Sequence, residues 1–203
     1  GEAWFEQESG TVTEFIETLA PNLPEAPSMT VAVDLQLDGF RLGGQLEGIS
    51  QQGLLRYRLV KRKGKDIIAA WIDHLLLNIV RPEGVQLETK LVLQDKFYQF
   101  LPVTSPTQIL SQLLALYWQG GHQPLPFFDK TSLEYVLATQ GKTPEEAFPK
   151  AEKIWQGNGQ MMAEQDDPYH QLVYSQSPVD ENFAEIAQQV YAPIISHLQG
   201  GEL

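Results

Sequence analysis

The stretch Gly39-Phe40-Arg41-Leu42-Gly43-Gly44-Gln45-Leu46-Glu47, followed by Gln51-Gln52-Gly53-Leu54-Leu55-Arg56-Tyr57-Arg58-Leu59-Val60, decides how the chain folds. Just before it, Met29, Val31, Val33, Leu35 and Leu37 alternate with Thr30, Ala32, Asp34 and Gln36, the period-two pattern of a half-buried strand. Asp38-Gly39 is a tight-hairpin dipeptide, so Phe40–Leu46 is predicted to return antiparallel to that strand. Gly43-Gly44 predicts a bulge or a close backbone approach. Gln51–Gly53 reads as a turn and Leu54–Val60 as a third strand. A helix is predicted over Ile67–Val80, where Ile68, Trp71, Ile72, Leu75, Leu76 and Ile79 fall at helical spacing.

Working outward, Thr11-Val-Thr-Glu14 has the form of a capping box, which predicts a short helix with Phe15, Ile16 and Leu19 inward. Two further strands are predicted over Val85–Leu93 and Lys96–Leu101. Ser105-Pro106-Thr-Gln108 opens a helix to Gln119, with Ile109, Leu110, Leu113, Leu116 and Tyr117 as its apolar stripe. Thr143-Pro-Glu-Glu146 opens another, broken at Pro149 and resumed over Lys150–Gln156. Asp180–Leu198 is predicted as a last helix, kinked near Pro193. Strands first and helices afterwards predict an α+β fold: a mixed sheet with flanking helices, in one domain that is strand-rich over 28–101 and helical over 105–203.

The chain of 203 residues is long enough to bury a sizeable core. It opens at Gly1 rather than Met, which predicts a piece cut from a longer protein. No apolar run is long enough to span a bilayer. The absence of cysteine excludes disulfides and Cys-ligated metal, and fits a reducing cytoplasm. A net charge of −12 argues against general affinity for nucleic acid. The charges are unevenly placed, however. Arg56, Arg58, Lys61, Arg62, Lys63 and Lys65 hold six of fourteen basic residues within ten positions, while the C-terminal half is acidic. Such a patch suits contact with a phosphate backbone or an acidic partner; a solvated strand end is the bland alternative.

Strand, turn, strand and helix also make the frame of a metal-dependent nuclease. That chemistry needs an acid at the end of one strand and Asp/Glu-x-Lys on the next, because two carboxylates hold the cation and the lysine steadies water or phosphate. Glu47 suits the first position, but Arg58 and Val60 stand at the others. An arginine cannot ligate a cation, nor can a valine replace the lysine. The expectation is a nuclease-like shell with no catalytic residue, no metal and no cofactor. Elsewhere, His74, His122, His170 and His197 form no metal-ligand pair, and Asp166-Asp167 lacks a third carboxylate. His74 lies on an apolar helix and reads as a hydrogen-bonded core or partner-facing residue. The aromatics Trp118, Phe127, Phe128, Tyr135, Trp155, Tyr169 and Tyr174 read as core and interface.

Several short blocks occur in a telling order: Gly53-Leu-Leu-Arg-Tyr-Arg58, Ala70-Trp-Ile-Asp-His-Leu75, Pro124-Leu-Pro-Phe-Phe, Trp155-Gln-Gly and Asp166-Asp-Pro-Tyr169. With the opening Gly1-Glu-Ala-Trp-Phe they resemble the C-terminal domain of the exodeoxyribonuclease V gamma chain (RecC) family over nearly the whole chain. The resemblance implies a restriction-endonuclease-like core that has lost its active site. It implies a part in the RecBCD helicase–nuclease, a hydrolase complex that processes double-strand breaks for recombination. In that setting the domain has no intrinsic activity. It contributes to strand separation and to contacts with the alpha and beta subunits, with duplex or forked DNA in the assembled complex and no membrane. Two other readings stay open: a competent nuclease with a displaced site using Glu47 and Asp66, and a protein-binding module without DNA contact.

Overall fold

A computed structural model of the chain describes residues 2–157 and 163–199, with the backbone alone over 2–8. Gly1, first residue of the opening block, lies outside the described residues. The chain divides into two compact units: one ends at Ser111 and regains the chain at His197, and the other is Gln112–Ser196.

The first unit holds a five-stranded mixed sheet with strands in chain order: β1 (Met29–Leu37), β2 (Phe40–Ser50), β3 (Gly53–Arg58), β4 (Thr89–Leu93) and β5 (Phe97–Phe100). Neighbours are antiparallel except β3 and β4, which are parallel and joined through a helix, α2 (Gly64–Val80). The alternation in β1 does what its pattern predicts: Val33 is buried and Thr30, Ala32, Asp34 and Gln36 are exposed. Asp38 and Gly39 both take positive φ, 46° and 86°, and Leu37 pairs directly with Phe40, giving a two-residue hairpin of the mirror-image type.

The bulge lies elsewhere than expected. Gly43 and Gly44 pair regularly with Asp34 and Val33. The register slips further along, where β1 advances from Val31 to Met29 while β2 goes from Leu46 to Ile49. Gly48, at φ 76°, occupies this bulge. At the next turn Gly53 has φ 104°, and a Cβ there would stand 2.3 Å from the carbonyl oxygen of Glu88. That approach lets Leu54 donate to Glu88 O at 2.9 Å and Gln86 donate to Gln51 O at 3.0 Å. Strand β3 stops at Arg58, so Val60 is off the strand; its N–H turns back to Arg58 O at 2.8 Å.

Helix α2 covers one face of the sheet, but with a rotated stripe. Ile67, Ala70, Trp71, His74, Leu75, Leu77 and Asn78 are buried, whereas Ile68, Ile72, Leu76 and Ile79 are only partly covered. Two polar residues lie inside because they are bonded. His74 Nε2–H donates to Leu101 O at 3.0 Å, which leaves Nδ1 to accept from Thr89 Oγ1 at 2.9 Å. Asn78 donates to His74 O and accepts from the N–H of Val103. Burial holds the His74 imidazole at a pKa of about 4, well below the usual value. On the sheet's other face Val92 is buried, and α1 lies against β4. Helix α1 runs Glu2–Leu19, nine residues longer at its start than Thr11 predicted, with Phe15 buried and Ile16 exposed. After the last helix the chain pairs with β5: Leu198 bridges Phe100, and Leu101 donates to His197 O at 2.7 Å.

Helix α3 (Pro106–Gly120) carries the chain into the second unit. Its predicted stripe is buried only at Leu110, and Tyr117 is exposed. The second unit contains α4 (Asp129–Thr139), α5 (Pro144–Gln156), a short α6 (Pro168–Val173) and α7 (Glu181–Ser196). Phe128, Tyr135, Trp155, Phe183 and Tyr191 are among its buried residues. Helix α5 begins with the predicted Thr143–Glu146 capping box and continues through Pro149. Ala147, Ala151 and Trp155 form one buried stripe, whose packing offsets the hydrogen bond that proline cannot make. Helix α4 has no side-chain cap in its own sequence neighbourhood. Glu164 caps it from afar, accepting from the N–H groups of Lys130 and Thr131 at 3.0 and 2.8 Å.

Candidate nucleic-acid interface

Alternation puts Arg56 and Arg58 on the face of β3 that meets α2, and α2 answers each with an acid. Arg56 Nε donates to Asp73 Oδ2 at 2.6 Å; Arg58 Nη1 donates to Asp66 Oδ1 at 2.6 Å. The first pair is about two-thirds to three-quarters covered, at 26% and 31% exposure; in the second, Arg58 is 58% exposed over an Asp66 side chain at 9%. The four residues border a pocket of about 140 Å³ floored by Ala69, Ala70, Leu91 and Leu93.

The residue that reaches Glu47 is Arg56, not Arg58. Arg56 Nη1 donates to Glu47 O at 2.8 Å and lies 3.3 Å from Leu55 O, while the Glu47 side chain is exposed. Glu47, Arg58 and Val60 therefore have separate attachments: a carbonyl held by Arg56, a guanidinium held by Asp66, and a loop residue whose carbonyl accepts from Gln94 N–H at 3.0 Å. Among the described residues no three metal-ligating side chains gather.

The rest of the basic run lies in the loop from β3 to α2 and, at Lys65, in the first turn of α2. Lys61, Lys63 and Lys65 are exposed and Arg62 is partly covered. The Arg62 N–H donates to Asp95 Oδ1 at 2.8 Å, and Gln94 donates to Val60 O, so the β4–β5 turn is tied to this loop. Burial raises the pKa of the Tyr98 phenol, an effect opposed by the nearby Arg62. The tie brings in an exposed residue that the sequence reading missed, Lys96. Loop and turn together present Lys61, Arg62, Lys63 and Lys96 against the single acid Asp95. No local pattern announces Lys96, because its neighbours in space are more than thirty positions earlier in the chain.

In the second unit, Tyr117 and Trp118 at the end of α3, and Tyr169 and Leu172 on α6, are largely exposed. Of the acidic loop, Glu164 caps α4 and Asp167 caps α6 by accepting from Tyr169 N–H at 2.8 Å. No helix among the described residues is long and apolar enough to cross a membrane.

Residues 1–140 match the family model described as the RecC C-terminal domain. Among curated proteins, the RecBCD enzyme subunit RecC of Buchnera aphidicola subsp. Schizaphis graminum is 26% identical over 176 residues, covering 81% of this chain and 16% of the relative. That of Mycobacterium tuberculosis is 29% identical over 146 residues, covering 68% and 13%. That of Escherichia coli is 24% identical over 183 residues, covering 83% and 16%. The chain thus spans about one-sixth or less of the length of these relatives. Since the family model accounts for well over half of its residues, the chain belongs to the RecC C-terminal domain family.

Proposed function

We propose that this chain is a non-catalytic DNA-handling and subunit-contact domain of a RecBCD-type helicase–nuclease, acting in the cytoplasm in double-strand-break repair by recombination. Its core is then a restriction-endonuclease-like shell in one C-terminal domain, and its partners are the alpha and beta subunits of exodeoxyribonuclease V. The observation that carries DNA handling is the basic end of the sheet, where Lys61, Lys63 and Lys96 stand exposed on a chain of net charge −12. Three exposed cations beside a tied loop can follow a phosphate track without reading bases. Arg56 and Arg58 are already bonded to Asp73 and Asp66, so they add shape and position more than free charge.

The absence of catalysis is supported by the same two arginines. Neither can supply an oxygen to a cation, and the Asp66 that a displaced site would need is held by Arg58. Subunit contact is supported by the exposed Tyr117, Trp118, Tyr169 and Leu172 on an acidic unit that phosphates would avoid. A photo-crosslinker placed at position 96 of the assembled complex tests the reading. Crosslinks to forked DNA are expected; crosslinks to subunits alone would assign this end of the sheet to protein docking.

A further inference from the structure

Strands β1 and β5 are the two outer edges of the sheet. The β5 edge is taken by the chain's own extended end: Leu198 bridges Phe100, and Gln199 N–H donates to Gln99 O at 2.9 Å. The β1 edge is open. Leu37 and Phe40 close a two-residue turn, so each bonds the other through both backbone groups, and so do the alternate pairs Leu35–Leu42, Val33–Gly44 and Val31–Leu46. The residues between them, Ala32, Asp34 and Gln36, therefore turn their N–H and C=O groups away from β2. All three are exposed, and none of these six backbone groups has a hydrogen bond among the described residues.

Proteins blunt such edges with lysine, proline, a bulge or a covering segment. Strand β1 has no lysine and no proline, its register slips only at the Met29 end, and Asp34, its one charge, is neutralised by Arg41 at 2.9 Å. Strand β2 pairs with β3 at its far end, at Ile49 and Ser50. From Val31 to Leu46 the hairpin thus stands as two strands among the described residues, and a two-stranded ribbon is marginal alone. We infer that β1 is the acceptor edge for an extended segment of a partner subunit, which adds to the sheet as a further strand. Backbone bonds to Ala32, Asp34 and Gln36 fix a segment of about five residues. Its alternate side chains come to lie beside Val31 and Leu35, at the border of the buried cluster around Val33 and Leu46, so they are apolar. With Asp34 already paired, the edge attracts no particular charge. A strand on the other side of β2 would have to enter the fork at β3, where Arg56 already holds Glu47 O. The inference rests on the subunit-contact part of the proposed function and names the edge and the form the partner takes there.

Amide exchange in the chain alone and in the assembled helicase–nuclease tests it. Alone, the amides of Ala32, Asp34 and Gln36 should exchange freely. In the complex they should slow by about a hundredfold or more, while those of Arg41, Gly43 and Gln45 change little. A photo-crosslinker at position 36 should reach the alpha or beta subunit. Proline is tolerated in an edge strand where its missing N–H would face outward. Ala32→Pro should therefore stay folded yet weaken assembly by about tenfold, whereas Ala32→Val, which keeps the N–H, should assemble normally. Should Ala32→Pro unfold the chain, exchange and crosslinking in the natural sequence decide alone. The inference is overturned if the three amides exchange in the complex as fast as in the chain alone, or if protection falls on Arg41, Gly43 and Gln45 instead. It is overturned equally if the crosslinks go to a second copy or to the same polypeptide, or if folded Ala32→Pro assembles as the natural chain does. Each of those results leaves subunit contact standing elsewhere on the domain; a domain that touches neither subunit in the complex would end both readings.

Discussion

Arg56 on β3 and Asp73 on α2 are joined at 2.6 Å, and the same guanidinium holds the Glu47 carbonyl of β2. One side chain therefore ties two strands and a helix. Removing it leaves a part-covered carboxylate and two carbonyls without their donor. Because both partners keep some contact with water, the loss lies between that of an exposed and a buried pair, about 2 kcal/mol for Arg56→Met. Urea unfolding should show this, and a cycle with Asp73→Asn should show clear coupling between the two changes.

Gly53 should be among the least replaceable residues of the sheet. A Cβ there meets Glu88 O at 2.3 Å, on a backbone already at φ 104°. Gly53→Ala is expected to cost about 3 kcal/mol or more. Gly43→Ala, where nothing lies within 4 Å, is the control and should be nearly neutral in the same denaturant series.

Acid should loosen the first unit through His74. Its folded pKa, about 4, lies below the ordinary 6.5, so the unfolded chain takes up the proton first. The stability this histidine contributes is full above pH 6.5 and is lost as pH falls toward 4. The total is on the order of 3 kcal/mol. His74→Gln should flatten the stability slope between those two values, read by urea unfolding at stepped pH.

In the second unit, Thr143 accepts from Glu146 N–H while the Glu146 carboxylate accepts from Thr143 N–H. Thr143→Ala should destabilise the start of α5 by about 1 kcal/mol, visible as faster amide exchange in its first turn.

What could be read in the sequence was whatever its own neighbours dictate. Strand β1 follows from strict alternation, its hairpin from Asp38-Gly39, and α5 from a capping box complete within four residues. Features fixed at a distance were not legible. Helix α4 is capped by Glu164, far along the chain, and the face of α2 is turned by hydrogen bonds that let His74 and Asn78 go inside. The start of α1 was missed because Thr11-Val-Thr-Glu14 has the form of a capping box, yet the helix already runs from Glu2 and passes through it. At the site, the basic run was visible as composition. Its division into arginines held by Asp73 and Asp66 and exposed lysines joined by Lys96 depends on where β4, β5 and α2 lie.

The central claim is that the basic end of the sheet handles DNA. The direct measurement is fork binding and unwinding by the assembled helicase–nuclease across a salt series, with Lys61→Glu, Lys63→Glu and Lys96→Glu combined. These side chains are exposed, so the fold and the Arg56–Asp73 tie should survive the change. The account predicts weaker fork binding, a shallower dependence on salt and slower unwinding, since each lost phosphate contact lowers the slope by about 1. Unchanged binding and an unchanged salt slope in a complex that still assembles would contradict it.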